Sequence, residues 1–556
     1  MKTQSVLRLL KATKRVALWS AVLPGLAVTG FGQTNGVSTQ TTPAQTQMAS
    51  TPVQSTPAPV QSTSAAAKSR YKVEETLLGP IEWNPIERNP IYAPAMISGD
   101  GRHIAYFASG TDCSNGTKRC VVLDGKVIPV SNDLTLLGGL ALSFDGTHFA
   151  YPAFRDKKPL LVIDGQGGPV YDNRGLSIGG PKDLIFSPDG KRLAYVAAEG
   201  SLRHLSFRLV VDGKAGAEYD EIFNLIFSPD SKHIAFAAEI GKHLTVVEDG
   251  HPGTEYDEIY GPAFSPDSKH VVFGAQQGKK SFVVVNGQEG TYDSLTAWGV
   301  TDRTNSHDMS RPIYGVDSQS SVAYDDLSHI ALRGVFVGVL PEFTHLAFSS
   351  DGSHMAYAAK KGGEWVIVVD GRVTAECKET GYGSPALSPD GKRLAFAERD
   401  GREGTFRLVV DGQAGAEYHA IYNPSFSPDG KHIAYTARKG STSGEGFTLV
   451  EDGQEGPDFS GIGNWAFSSD SKHVAYAAQT QRGLIAYNDR GSMTDGAGKW
   501  SVVLDGQAGN EYSIILPGSL LFDPDGTVRF FAIQKEGHSL GNKRGSLYRV
   551  KYIPAP

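Results

Sequence analysis

The sequence predicts an all-β chain made from one four-stranded unit repeated along most of its 556 residues. Three observations carry this. A twelve-residue phrase, FSPDGKHIAYTA at Phe426 to Ala437, returns as FSPDGKRLAYVA (Phe186 to Ala197), FSPDSKHIAFAA (Phe227 to Ala238) and FSPDSKHVVFGA (Phe264 to Ala275). It returns again as FSSDGSHMAYAA (Phe348 to Ala359), LSPDGKRLAFAE (Leu387 to Glu398) and FSSDSKHVAYAA (Phe467 to Ala478). About twenty residues after each phrase stands an apolar run closed by Asp-Gly or Asn-Gly, such as LVVDG (Leu209 to Gly213) or VVVNG (Val283 to Gly287). Finally, no segment has the 3.6-residue periodicity of a long amphipathic helix.

Each element of the unit has a local reason. Ser427-Pro428-Asp429-Gly430 fits a type I turn, with Ser first, Pro second and Gly fourth. The turn aspartates Asp189, Asp230, Asp267, Asp351, Asp390, Asp429 and Asp470 are read as structural. Ser231, Ser268 and Ser471 replace the Gly, which a type I turn tolerates. After the turn, Ile433 to Ala437 alternates large and small side chains, as suits a strand covered on both faces. The Asp-Gly that ends the third strand calls for a type I′ hairpin, where both central residues take positive φ. A fourth strand follows, often ending in Glu-Tyr (Glu218-Tyr219, Glu255-Tyr256, Glu417-Tyr418, Glu511-Tyr512).

The turn aspartates run from Asp100 to Asp525, and one gap, from Asp267 to Asp351, is twice the usual step. Placing a worn copy at Asp317, where DSQSSVAY imitates DSKHVAY, gives eleven units at a mean step of about 42 residues, the period of propeller blades. Rings of about four to eight blades are usual, so the expectation is a β-propeller of about eleven four-stranded blades in two rings. The division would be blades 1–5 over 71–295, an inserted loop at 296–316 and blades 6–11 over 317–556. The alternative is one large ring, because YKVEETLL at Tyr71 could supply the fourth strand that the last unit lacks.

Residues 1–32 carry Lys2, Arg8, Lys11, Lys14 and Arg15 ahead of an uncharged stretch, the pattern of a secretory signal peptide. Residues 33–70 are Thr, Gln, Ser, Pro and Ala, a composition that cannot bury a core and reads as a disordered spacer. The expected location is therefore secreted or periplasmic, with no membrane insertion once the leader is removed. In such a compartment Cys113 and Cys120 should form a disulfide, and Cys377, placed where other units carry Tyr, should be a buried thiol. A net charge of −7 without a basic stripe argues against nucleic acid.

Seven histidines share one repeat position: His103, His148, His233, His270, His354, His432 and His473. Equivalent points on neighbouring blades are too far apart to share a metal, and Arg192 and Arg393 fill the same place elsewhere, so these positions are read as structural. Function belongs where the repeat breaks. Asn286 to Asp317 spans 31 residues, read as a long fourth-to-first connection, and Asp470 to Asp505 spans 35, a long second-to-third connection. Those two connections emerge on one face. They offer Trp298, Asp302, Arg303, His307, Asp308 and Arg311, and Tyr487, Asn488, Asp489, Arg490 and Asp495, a mixture suited to protein, peptide or glycan. No catalytic or metal set and no cofactor is expected, beyond a calcium ion that NDRGSMTDG (Asn488 to Gly496) could hold although it lacks the D-x-[DN]-x-[DN]-G spacing.

The SPDGK-[RH]-[IL]-A-[YF] phrase resembles the repeats of TolB-type, WD-repeat-like propellers over roughly Ile97 to Ile533. The resemblance implies an extracytoplasmic interaction platform, or the propeller half of a prolyl-oligopeptidase-type peptidase. The chain departs from both: no α/β domain precedes the repeats, and no G-x-S-x-G elbow follows them. The functional expectation is a non-catalytic platform that binds protein, peptide or glycan through one face. The alternative is a propeller-type glycoside hydrolase or lyase with carboxylates in a central pocket.

Overall fold

The computed structural model describes Tyr71 to Pro554 apart from residues 83–94, 110–112, 114–118, 137–138, 171–181, 202–203, 293, 296–345, 381–384, 400–403, 441–445, 482–484, 488–492, 496–497 and 536–543. The leader and the spacer, expected over residues 1–70, lie outside the described residues. Among the described residues no helix is long and apolar enough to cross a membrane.

One unit shows how all are made. Glu221–Phe227, Ile234–Ile240, His243–Glu248 and His251–Tyr256 pair antiparallel in chain order, as strands A to D of one blade. Between A and B, the Ser231 amide donates to the Ser228 carbonyl at 2.9 Å, closing the turn. The Ser228 hydroxyl donates to Asp230 (2.6 Å) and accepts from the His233 amide (2.9 Å). A hydroxyl and a carboxylate thus satisfy the turn from within. Between C and D, Asp249 and Gly250 have φ of 48° and 83°, as a type I′ hairpin requires.

The A–B turn departs from expectation at its fourth residue. Gly190 and Gly430 have φ of 70° and 73° there, and Ser231, Ser268 and Ser471 have 65°, 65° and 62°. Serine is not simply tolerated: it adopts a left-handed conformation that disfavours a Cβ. The compensation lies in the neighbouring blade. Each of the three hydroxyls accepts a hydrogen bond, at 3.0 Å, from the amide of the preceding turn aspartate: Asp189 to Ser231, Asp230 to Ser268, Asp429 to Ser471.

The described residues form ten four-stranded blades, not eleven. Asp317 lies outside them, and the strands on either side belong to one blade. Ser294–Leu295 and Leu346–Phe348 both pair with Met355–Lys361, opposite Lys360 and Ala359 and opposite Tyr357 to Met355, so they are two halves of one strand A in blade 6. Val272, Val283 and Tyr292 of blade 5 also pack directly on Tyr357, Ala359 and Val366 of blade 6. The doubled step is an insertion within a strand rather than a worn repeat.

The two-ring expectation is corrected as well. Ten apolar clusters mark ten junctions between successive blades, and the tenth returns to the start. Tyr71–Glu82 is strand D of blade 10, paired along its length with Arg544–Pro554, while Leu78 and Ile81 pack with Ile104 and Tyr106 of blade 1. A single ring is closed by a strand from the start of the repeat region, the alternative read from YKVEETLL. Within each junction large side chains meet small ones: Ala235 and Ala237 of blade 4 face Ile259 and Phe273 of blade 5.

First strands of successive blades touch one another around the ring, Lys182–Phe186 with Glu221–Phe227 and that strand with Glu258–Phe264, which puts them innermost. Fourth strands are outermost. Lys214–Tyr219, Gln413–Tyr418 and Gln507–Tyr512 are exposed along their first five residues and end in a buried Tyr. That tyrosine reaches the next blade: Tyr256 donates to Glu289 (2.6 Å), Tyr418 to Glu455 (3.0 Å) and Tyr512 to Glu75 of the closing strand (2.5 Å). The Glu-Tyr ends therefore join blades.

Candidate functional site

With strands ordered A to D in each blade, all A–B and C–D turns lie on one face of the ring and all B–C and D–A connections on the other. On the turn face the repeated polar residues bond to one another. His103, His148, His233, His354, His432 and His473 each place Nδ1 2.6–2.7 Å from the aspartate of their own C–D turn: Asp124, Asp164, Asp249, Asp370, Asp452 and Asp505. Arg192 and Arg393 make the same link to Asp212 and Asp411, and also donate to the next blade, at Ser231 O and Gly430 O. The seventh histidine meets Asn286. Asn286 Oδ1 accepts from the Val271 amide (3.0 Å), which leaves Nδ2 as the group facing His270 Nδ1 at 2.7 Å.

The ionisable groups follow these contacts. Pairing with Asp249, Asp370 and Asp452 raises His233, His354 and His432 above the usual imidazole range. The Ser228 and Ser388 hydroxyls, with turn amides and lysines behind them, hold Asp230 and Asp390 down at about 2. Lys191, Lys232, Lys269, Lys392, Lys431 and Lys472 each stand 3.1–3.6 Å from their turn aspartate. Among the described residues no group of three or more His, Cys, Asp or Glu is arranged to hold a metal.

The opposite face carries the irregular parts. Cys113 and Cys120 are joined by a disulfide in the B–C loop of blade 1. The D–A connections brace the hairpins beside them: Asp220 accepts from the Gly241 amide (2.6 Å), Asp257 from the Gly278 amide (2.7 Å), and Asp133 from Arg155 (2.8 Å). In blade 9 the long B–C connection contains a small hairpin of its own, Ile485–Tyr487 paired with Met493–Asp495, with Tyr487 opposite Met493. Tyr487 and Asp495 thus sit on adjacent strands of one arm. Asn488, Asp489, Arg490, Gly491, Ser492 and Gly496 of the calcium candidate loop lie outside the described residues.

The first insertion is not where the spacing put it. Trp298, Asp302, Arg303, His307, Asp308 and Arg311 lie outside the described residues, but the chain leaves for them at Leu295 and returns at Leu346. Both ends sit on the innermost strand of blade 6, opposite Ala359 and Tyr357, so the insertion interrupts strand A instead of lengthening a D–A connection. The same level is irregular in other blades. The A–B register shifts between Phe223 and Ile226, Tyr260 and Ala263, Tyr422 and Ser425, and Ile462 and Trp465. Asn224 and Asn423 take φ of 53° and 51° in these bulges. A signal existed in the sequence: Asn or Gly, in places followed by Pro (Gly261-Pro262, Asn423-Pro424), recurs midway through strand A.

Cys377 is buried at the end of a fourth strand, the place of Tyr219 and Tyr418, and burial followed by the nearby Glu398 and Glu364 pushes its thiol up to about 12. Both effects oppose thiolate formation there.

Ten four-stranded blades, each with an aspartate in its A–B turn, define a β-propeller. Similar solved structures include a eukaryotic initiation factor, at 11% identity over 73% of this chain and 94% of that one, with a TM-score of 0.38. TolB from Acinetobacter baumannii is similar at 12% identity over 64% and 79%, with a TM-score of 0.24. The Cps50 (Swd1) β-propeller domain from Myceliophteria thermophila is similar at 13% identity over 67% and 97%, with a TM-score of 0.26. At these identities the likeness is one of fold. No family model matches the chain, and no curated protein matches it.

Proposed function

We propose that this propeller is a non-catalytic, extracytoplasmic platform that binds protein, peptide or glycan through the face bearing its B–C and D–A connections. One contrast carries the reading. On the turn face, histidine, arginine, lysine and aspartate side chains are bonded within the ring, whereas departures from the repeat gather on the opposite face and the inner strands. The binding groups would be Trp298, Asp302, Arg303, His307, Asp308 and Arg311 from the insertion in blade 6. Tyr487, Asn488, Asp489, Arg490 and Asp495 from the arm of blade 9 would join them. A rigid ring with variable loops is the usual way to display a binding surface. The disulfide between Cys113 and Cys120 supports an oxidising location.

The test is crosslinking capture from native envelope and secreted fractions, with the mature chain beside a variant lacking residues 301–311 and 489–498. Partners held by the first and lost by the second support the reading. Equal capture by both would refute it.

A further inference from the structure

One arginine at the loop-face end of a strand lacks the carboxylate that its counterpart in the next blade has. In blade 7, Arg399 ends strand B, stands opposite Phe406 of strand C and sets its guanidinium 5.8 Å from the centre of that ring. Thr380 bridges Glu398, so Glu379 stands opposite Arg399 on the other side, and the two side chains form an ion pair. In blade 8 the same place belongs to Arg438, opposite Phe447 of strand C. Its neighbour on strand A, however, is Ala420. Blades 4 and 5 also have an acid at this level of the first strand, Glu221 and Glu258. Blade 8 does not.

Arg438 is partly buried, and among the described residues its side chain makes no hydrogen bond or ion pair, with Nε closed off from solvent. Cross-strand partners share a sheet face, so Arg438 projects beside Phe447, which packs with Tyr422 against Ile462, Trp465 and Tyr476 of blade 9. That places it in the seam between blades 8 and 9, on the face from which the arm of blade 9 leaves the ring. The described charged groups of this level are engaged elsewhere. Lys439 holds Glu455 (2.7 Å) and Asp458 (2.8 Å), and Lys499 holds Glu511 (2.8 Å). Glu417 accepts from Thr405 (3.2 Å), and the His419 ring meets the Lys439 carbonyl (3.2 Å). Glu445, in the B–C loop of blade 8, lies outside the described residues.

A guanidinium taken partly out of water without a counter-charge is unfavourable, and an arriving carboxylate relieves this through charge-assisted, bidentate hydrogen bonds. The carboxylates named here are at least as numerous as the cations, so the seam has no field to draw in a polyanion. What it offers is a short-range fork for one carboxylate, beside aromatic side chains. A peptide that carries a single acid among neutral residues fits that arrangement better than a polymer charged at every unit.

We infer that Arg438 anchors one carboxylate of a bound peptide, from an acidic side chain or a chain terminus, in the seam between blades 8 and 9. This rests on the loop face being the binding face, and it names the chemical group which that face takes.

The test titrates the full mature chain, isotope-labelled at arginine, with three peptides followed by nuclear magnetic resonance. The first is Ala-Leu-Glu-Leu-Ala, acetylated and amidated. The second has Gln in place of Glu, and the third is that Gln peptide with a free C-terminal carboxylate. The Nε–H signal missing from R438Q should shift and saturate with a carboxylate peptide and not with the neutral one, while that of Arg399 stays still. Whichever carboxylate peptide binds identifies the source. R438Q and A420E, the second supplying the acid that blade 7 has, should each weaken binding at least about tenfold, as loss of a charged hydrogen bond does. R399Q should stay within about twofold, because its guanidinium already has a partner. Melting curves check folding, and R438Q carries the test should A420E fail to fold. No saturable shift with either carboxylate peptide, or equal losses in R399Q and R438Q, would overturn the inference. So would tighter binding of alginate oligomers, or binding that appears only in E445Q, which would make the chain's own acid the partner. The capture experiment removes neither Arg438 nor Ala420 and could succeed in each of these cases, so the two failures are distinguishable.

Discussion

Because the ring is closed by one non-covalent strand, removing that strand should cost most of the molecule's stability. The perturbation is a chain starting at residue 83 compared with one starting at residue 71. Leu78 and Ile81 retain only 7% and 1% of their exposure in the folded ring, and burial of two such side chains is worth about 4 kcal/mol. Glu75 accepts from the Tyr512 hydroxyl (2.5 Å) and from Nδ2 of the Asn510 side chain (3.0 Å), and Tyr106 donates to the Pro80 carbonyl (3.0 Å). Together these add about 2–3 kcal/mol. A loss of about 6–7 kcal/mol compares with total stabilities of roughly 5–15 kcal/mol for ordinary domains. The shortened chain should melt well below its parent, and hydrogen exchange should open Val528–Lys535 and Arg544–Pro554 first, since the latter then has a free edge. Ile81→Ala is the milder check, at about 3 kcal/mol. If the two chains melt together and protect blade 10 equally, the ring is not held by this strand.

Two further predictions concern single side chains. Tyr476 is buried with no hydrogen-bond partner for its hydroxyl among the described residues, and burial pushes that hydroxyl up to about 12. Its equivalent in blade 6, Tyr357, meets Tyr292 at 2.6 Å, but Tyr476 faces the ring of Phe459 instead. Tyr476→Phe should therefore stabilise the protein by about 1 kcal/mol, and a lower melting temperature would refute this. The pH profile should have its maximum between the two sets of turn groups. The raised histidines His233, His354 and His432 contribute below about pH 6.5 and lose that contribution as pH rises through their folded values. The depressed aspartates, Asp230 among them, contribute above about pH 4 and lose it as pH falls toward 2. Each histidine pair is more than a third exposed, so screening leaves a few tenths of a kcal/mol apiece. Asn286→Asp should extend the effect to blade 5, raising the melting temperature at pH 5.5 more than at pH 8. An equal change at both values would show that His270 does not take part.

The propeller was legible because its determinants are local. Ser-Pro-Asp-Gly, Asp-Gly and a period-two strand each specify their own geometry within a few residues, and repetition makes the pattern unmistakable. What the sequence hid depends on partners distant in the chain. The strained conformation of Ser231 is compensated by Asp189, 42 positions earlier. The count failed where DSQSSVAY imitated a turn phrase inside an insertion, because only the shared pairing of Leu295 and Leu346 with one strand reveals a single interrupted blade.

The same logic separates the candidate site from the scaffold. A lysine two places after a turn aspartate is paired by its turn, as Lys232 is at 3.1 Å from Asp230. A lysine at a hairpin tip, such as Lys279, gains a partner only if a neighbouring blade supplies one, and the neighbouring carboxylate Asp257 is already bonded to the Gly278 amide. Charge counted along the chain treats the two lysines as equal. Placed in the ring, one closes a turn, while the other stands exposed at a hairpin tip on the face where the repeat is broken.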